Sequence, residues 1–160
     1  MSTDTTNTFA ENIVPKTSSE SYEEYLAFIS EGLNFVINAS VINQIIMNNN
    51  ITPMPRLPDF IRGIINLRGQ VIPIVDVCMR MNRPATELTE ETCIIVIDVN
   101  DMLIGLMVDK VSHVVNIPSS DIRPAPTKNA QELINQMVRI GDVDYMILDY
   151  TLLAAPQEQA

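Results

Sequence analysis

Gly63-Ile64-Ile65-Asn66-Leu67-Arg68-Gly69-Gln70-Val71-Ile72-Pro73-Ile74-Val75-Asp76 is the stretch on which the fold is decided. Two β-branched runs flank a polar elbow, Asn66 to Gln70, that contains a glycine. That pattern predicts a β-hairpin whose turn uses Gly69 for a positive φ. Pro73 lies inside the second run and cannot donate to a ladder, so this strand is expected at a sheet edge or at a bulge. Asp76 closes the run. An arginine at the tip of an otherwise apolar hairpin is the first functional signal.

Outward from the hairpin, short strands dominate. Tyr25 to Ile29 and Leu33 to Ile37 read as a pair joined at Glu31-Gly32. Val41-Ile42 and Ile45-Ile46 follow as a helical turn or bent strand, and Asn48 to Asn50 as a turn. Pro53, Pro55 and Pro58 keep the next segment extended. After Asp76 one helical turn runs toward Arg83-Pro84, and the polar residues 85–92 form an acidic linker. Ile94 to Val99 hardly alternates, which predicts a strand buried on both faces. Met102 to Val108, Val111 to Ile117 and a last hairpin across Gly141-Asp142 continue the β pattern; residues 127–136 read as a polar loop or short helix. Residues 1–20 read as a disordered tail and 154–160 as a frayed one.

The chain repeats itself. Phe35-Val36-Ile37, Val41-Ile42 and Ile45-Ile46 superimpose on Ile104-Gly105-Leu106, Lys110-Val111 and Val114-Val115 at a constant offset of 69 residues. Both halves end in a hairpin closing on aspartate, Ile74-Val75-Asp76 and Ile147-Leu148-Asp149. Two copies of one plan imply two small β-units. Units of about five short strands bury little on their own, so they are expected to share an apolar interface. Aligning the turns sets Arg68-Gly69 over Ile140-Gly141, so the glycine recurs and the arginine does not. Arg68 is therefore a residue the turn itself does not require, unless it pairs with Asp59 or Asp76.

Composition narrows the function. The net charge of −10 and the pI of about 4.4 argue against non-specific nucleic-acid binding. Between positions 56 and 83 five arginines face two aspartates, a local +3 that leaves −13 for the rest. Such an island can steer an acidic partner. Cys78 and Cys93 sit among apolar residues and read as reduced thiols. No apolar run reaches the length of a membrane span and no secretory signal is present, so a cytoplasmic protein is expected. His113 stands alone, no metal-ligand spacing occurs, and no nucleophile or phosphate-binding motif is found. The alternatives are an enzyme with paired carboxylates such as Asp76 and Asp109, and an OB-like nucleic-acid module.

The run Ile61-Arg62-Gly63-Ile64-Ile65-Asn66-Leu67-Arg68-Gly69-Gln70-Val71-Ile72-Pro73-Ile74-Val75-Asp76 resembles the signature of the CheW family of bacterial chemotaxis coupling proteins. Gly105 to Val111 and Asp121-Ile122-Arg123-Pro124-Ala125-Pro126 resemble the same family, and the likeness spans roughly residues 22–153. It implies an all-β fold: two interwoven five-stranded small β-barrels, OB- or SH3-like, with short helical turns. The barrels would comprise about 33–84 plus the C-terminal segment, and 85–148 plus the N-terminal hairpin. It implies no catalysis, no cofactor and no metal. It implies an adaptor between the helical cytoplasmic tip of a chemoreceptor and the regulatory domain of the histidine kinase CheA, with no nucleic acid and no membrane insertion. Carried over by position, the receptor groove involves Ile42, Gln44, Gly63, Arg68 and Val71, and the kinase-facing surface Val111 and Val114. The chain departs from the family where many members have an acid at Gln44 and a polar or basic residue near Ile46. A coupler of twitching or another surface behaviour shares these motifs.

Overall fold

The computed structural model describes residues 21–47, 50–129 and 133–154. Among these residues eleven strands fall into two sheets. Numbered along the chain they are β1 (Tyr22–Ser30), β2 (Leu33–Asn38), β3 (Ile42–Met47), β4 (Ile61–Leu67), β5 (Gln70–Asp76), β6 (Cys93–Val99), β7 (Met102–Val108), β8 (Lys110–Pro118), β9 (Arg123–Asn129), β10 (Ile134–Ile140) and β11 (Val143–Leu148). Short helices follow the two closing aspartates, at Val77–Arg80 and Thr151–Ala154, and 3₁₀ turns occupy Ala39–Val41 and Ser119–Asp121. The all-β expectation, two barrel-like units with short helical turns, is met. The predicted loop or helix over 127–136 is replaced at both described ends by strand, β9 and β10. Ala154, the first residue of the predicted C-terminal tail, instead ends the last helix. The rest of the predicted tails, and Asn48 and Asn49 of the predicted turn, lie outside the described residues.

The six-stranded sheet runs β8-β1-β2-β11-β10-β9 and the five-stranded sheet β3-β6-β7-β5-β4. The two orders are the same order. β1-β2 in one sheet corresponds to β6-β7 in the other, β8 to β3, and β11-β10 to β5-β4. Each sequence half has therefore given its first hairpin to the other unit. This corrects the expected division into 33–84 with the C-terminal segment and 85–148 with the N-terminal hairpin. The N-terminal hairpin does join the second half, but β6 and β7 pair with β3 and β5 in return. The exchange buries both faces of β6: Ile94 and Val96 face the interior of the five-stranded unit, and Ile95 and Ile97 face the core shared between the sheets.

Three apolar clusters follow. Ile65, Ile72, Ile74, Ile94, Val96 and Met107 fill the five-stranded unit. Tyr25, Ala27, Val36, Ile117, Val138 and Ile147 fill the six-stranded one. The largest cluster lies between them and draws Leu26, Phe28, Phe35 and Ile37 from one sheet and Val75, Ile95, Ile97 and Leu106 from the other. The shared interface expected from the repeat is thus the principal core. Phe28 and Phe35 stack within it at 5.3 Å between ring centroids.

Pro73 is not at an edge. β5 is an inner strand between β7 and β4. Its parallel ladder to β7 begins only at Ile74, paired with Gly105, so the missing donor falls just before the ladder starts.

Candidate functional site

Arg68 and Gly69 form the two-residue turn between β4 and β5, with Leu67 paired to Gln70. Both take positive φ, 57° and 85°, the type I′ pattern that suits a twisted hairpin. Asn66 supports the turn by accepting the Gly69 N–H on its Oδ1 at 3.0 Å. In the last hairpin only Gly141 has positive φ, 64°, and it occupies the first turn position, between Ile140 and Val143. The structural counterpart of Arg68 is thus Gly141, not Ile140. The fold gives glycine to this left-handed position in one copy and arginine in the other. A non-glycine residue there costs about 1 kcal/mol or more, so the arginine is held against local preference.

The guanidinium is exposed and, among the described residues, has no acceptor. It does not pair with Asp76. That carboxylate is fully buried and accepts from Arg62 Nη1 at 2.7 Å, from the N–H groups of Cys78, Met79 and Thr86, and from the Thr86 hydroxyl. Asp76 thereby caps the short helix that follows it. The basic island resolves into separate roles. Arg62 is the cation of this buried pair, and Arg80 lies over the Phe60 ring at 5.4 Å. Arg56 and Arg68 are exposed, and both have positive φ.

The other residues expected in a receptor groove, Ile42, Gln44, Gly63 and Val71, fall on the same sheet. Gln44 pairs with Val96, Val96 with Gly105, Gly105 with Ile74, and Ile74 with Gly63, so Gln44 and Gly63 end one row across all five strands. Gly63 is buried at φ 145°, and a Cβ on it would stand 2.2 Å from the Thr52 carbonyl oxygen. Its place depends on having no side chain, which lets the Thr52 segment bridge to Ile64. Ile42 pairs with Ile97 and packs on the shared core. Val71 is 59% exposed, two residues along β5 from Pro73 and four from the buried Val75. Residues 71, 73 and 75 alternate onto the sheet face that meets the shared core. Met102, 50% exposed, continues the same face of β7 beyond Ile104 and Leu106. An apolar strip therefore runs out of the interface to the surface at the Arg68 end. The sequence offered no sign that Met102 belongs to it, because its neighbour comes from the other half of the chain.

Val111 and Val114 lie on β8, at the edge of the other sheet, opposite Phe28 and Leu26. Val111 is half-buried against the shared core, and Val114 is 54% exposed. β3 and β8 are equivalent strands, and Ile45, the counterpart of Val114, is likewise an exposed apolar residue. The remaining polar candidates are tied locally. Asp109 accepts the Glu31 N–H at 2.7 Å, and His113 Nδ1 lies 2.8 Å from the Ser112 hydroxyl. Cys78 and Cys93 are free thiols, and burial pushes both up from the ordinary range. No helix among the described residues is long and apolar enough to cross a membrane.

Comparison with known proteins agrees with this architecture. The family model of the CheW-like domain matches residues 24–157. A chemotaxis protein CheW of Rhizobium meliloti is 39% identical over 103 residues, 64% of this chain and 66% of that one. One of Klebsiella aerogenes is 28% identical over 141 residues, covering 86% and 85%. The crystal structure of the scaffolding protein TtCheW from Thermoanaerobacter tengcongensis superimposes with a TM-score of 0.75 at 25% identity, over 80% of this chain and 89% of that one. With the matched model spanning nearly all of the ordered strands and the exchanged hairpins in place, the chain belongs to the CheW-like domain family.

Proposed function

We propose that this chain is a non-enzymatic adaptor that couples the helical cytoplasmic tips of chemoreceptors to the histidine kinase CheA in chemotaxis signalling. It acts on the cytoplasmic side, recruited to receptor assemblies. The observation that carries the reading is Arg68, an exposed guanidinium without an acceptor among the described residues, held in a left-handed turn beside Val71. An amphipathic receptor helix laid on the strip from Val71 and Met102 toward the shared core would bury its apolar face there. Arg68 would then take a helix-borne carboxylate or the last carbonyls of the helix. Ile42 packs on the shared core and would shape the floor, whereas the row that Gln44 and Gly63 end carries Val96 and Ile74 on the opposite, interior face and would support the strip from behind. The edge strand β8, through Val114 and with Val111 behind it, would face the regulatory domain of the kinase.

The test is charge reversal. Arg68→Glu is expected to keep the thermal transition of the parent and to lose co-sedimentation with receptor-tip peptide together with receptor-dependent kinase activation. Coupling at the parent level in that variant would remove Arg68 from the receptor surface.

A further inference from the structure

The acidic segment 85–92 is built into the fold. Thr86 donates its N–H and its hydroxyl to Asp76 at 3.0 and 2.7 Å. The Thr92 hydroxyl accepts the Thr89 N–H and donates to the Glu87 carbonyl, and the Thr89 hydroxyl accepts the Glu91 N–H. The segment borders a cavity of about 470 Å³ that opens into the five-stranded unit. Ile94 and Met107 of the interior cluster form its floor, with Ile51 packed against them. Pro53 and Leu88 form its sides. Mouths of β-barrels with this size and lining are a recurrent place for small ligands.

The polar complement is narrow. The Thr92 hydroxyl is used within its own segment. Asn50 and the Arg62 guanidinium remain. One Nη of Arg62 is held by Asp76, and its other N–H groups have no acceptor among the described residues. We propose that this mouth binds a small free amphiphile, an apolar chain or ring ending in a single carboxylate. The apolar body lies on Ile51, Ile94 and Met107, and the carboxylate accepts from Arg62 and Asn50. A guanidinium half withdrawn from water makes strong charge-assisted bonds to such a group. Glu87, Glu90 and Glu91 on the bordering segment oppose negative charge at the mouth, so each carboxylate beyond the one that Arg62 binds adds repulsion with no cation among the described lining residues to offset it.

The test uses the full chain with isotope-labelled isoleucine and methionine methyls. Titration with decanoate is expected to give saturable shifts at Ile51, Ile94 and Met107. Decanol has the same chain without the carboxylate and should bind at least roughly tenfold more weakly, the value of one charge-assisted hydrogen bond. Asn50→Asp, which sets a carboxylate at the mouth, should weaken decanoate and leave decanol unchanged. Phosphatidylglycerol vesicles should leave the three methyls unshifted. Absence of saturable shifts overturns the proposal, as do shifts centred on Met102 at the exposed apolar strip, or equal binding of decanol. Shifts of the three methyls by vesicles overturn the assignment to a free ligand.

Discussion

Arg68 holds a backbone conformation that the other copy of the same hairpin gives to Gly141. A residue kept against its own conformational preference is a place where stability and function oppose one another. Asparagine tolerates the left-handed region better than arginine. Arg68→Asn is therefore expected to stabilise the protein by about 0.5–1 kcal/mol in chemical denaturation, while receptor-tip binding is lost. A variant both less stable and unable to bind would place the value of Arg68 in the fold. The buried thiol of Cys78 carries a second prediction at this scale. Desolvation is the first cause that raises it above its ordinary value, with Asp109 and Asp76 adding a smaller push. A thiol raised in the folded state stabilises through its neutral form. That stability is complete below the unfolded value of about 8.5 and is lost as pH rises through the higher folded value. Unfolding midpoints should fall on the alkaline side of about pH 8.5, and Cys78→Ala should flatten that slope, Cys93 retaining its own share. An unchanged slope in the variant would assign the alkaline loss to other groups.

At the scale of elements, the two hairpins that close on aspartate solve one problem with different chemistry. Asp76 and Asp149 each begin a short helix and accept its N–H groups, and each donates its own N–H to a carbonyl of the preceding segment, Phe60 and Leu133. Arg62 reaches Asp76, and at the equivalent place Asn135 reaches Asp149 at 3.0 Å. Removing Arg62 leaves a fully buried carboxylate without its cation, whereas removing Asn135 leaves a partly buried one with Thr151 still donating. Arg62→Ala should cost about 3 kcal/mol or more, and Asn135→Ala about 1 kcal/mol. Equal costs in denaturant titrations would contradict this difference. Local elements such as these were legible in the sequence, because alternation, glycine turns and closing aspartates are short-range signals. The register between copies was not. Aligning the two turns on their glycines sets Arg68 one place out, since a type I′ turn carries its glycine second and the other turn carries it first. Pro73 predicts an edge or a bulge: the strand is central, and its ladder to β4 shifts register beside Pro73, between Ile61 and Gly63 opposite Val75 and Ile74. The missing donor of Pro73 excludes one hydrogen bond, not a central strand, and the ladder to β7 starts one residue later.

For the whole molecule, the exchanged hairpins decide how it folds. β1-β2 belongs to the sheet completed by β8–β11, and β6-β7 to the sheet completed by β3–β5. The repeat announced two units and a shared core, but nothing in one strand states which distant strand it pairs with, so the return exchange of β6-β7 stayed hidden. A chain cut in the exposed segment near Arg83-Pro84 yields two halves, each lacking a central hairpin of its own sheet. Each half also exposes most of the core drawn from both sheets, including Phe28, Phe35, Ile95 and Leu106. Neither half can bury enough apolar surface alone. Fragments 1–84 and 85–160 should therefore be unfolded separately and recover the β-sheet circular dichroism of the parent when mixed. The intact chain should unfold in one transition by every probe, because both units are built on the same interface. A fragment folding independently, or two resolved transitions in the parent, would show that the exchange is ornamental to stability. The proposed coupling of two partners through one body would require the apolar strip on the five-stranded sheet and the edge of β8 on the other to keep a fixed relation. A core contributed by both halves of the chain provides that rigidity where a flexible linker between two separate barrels would not.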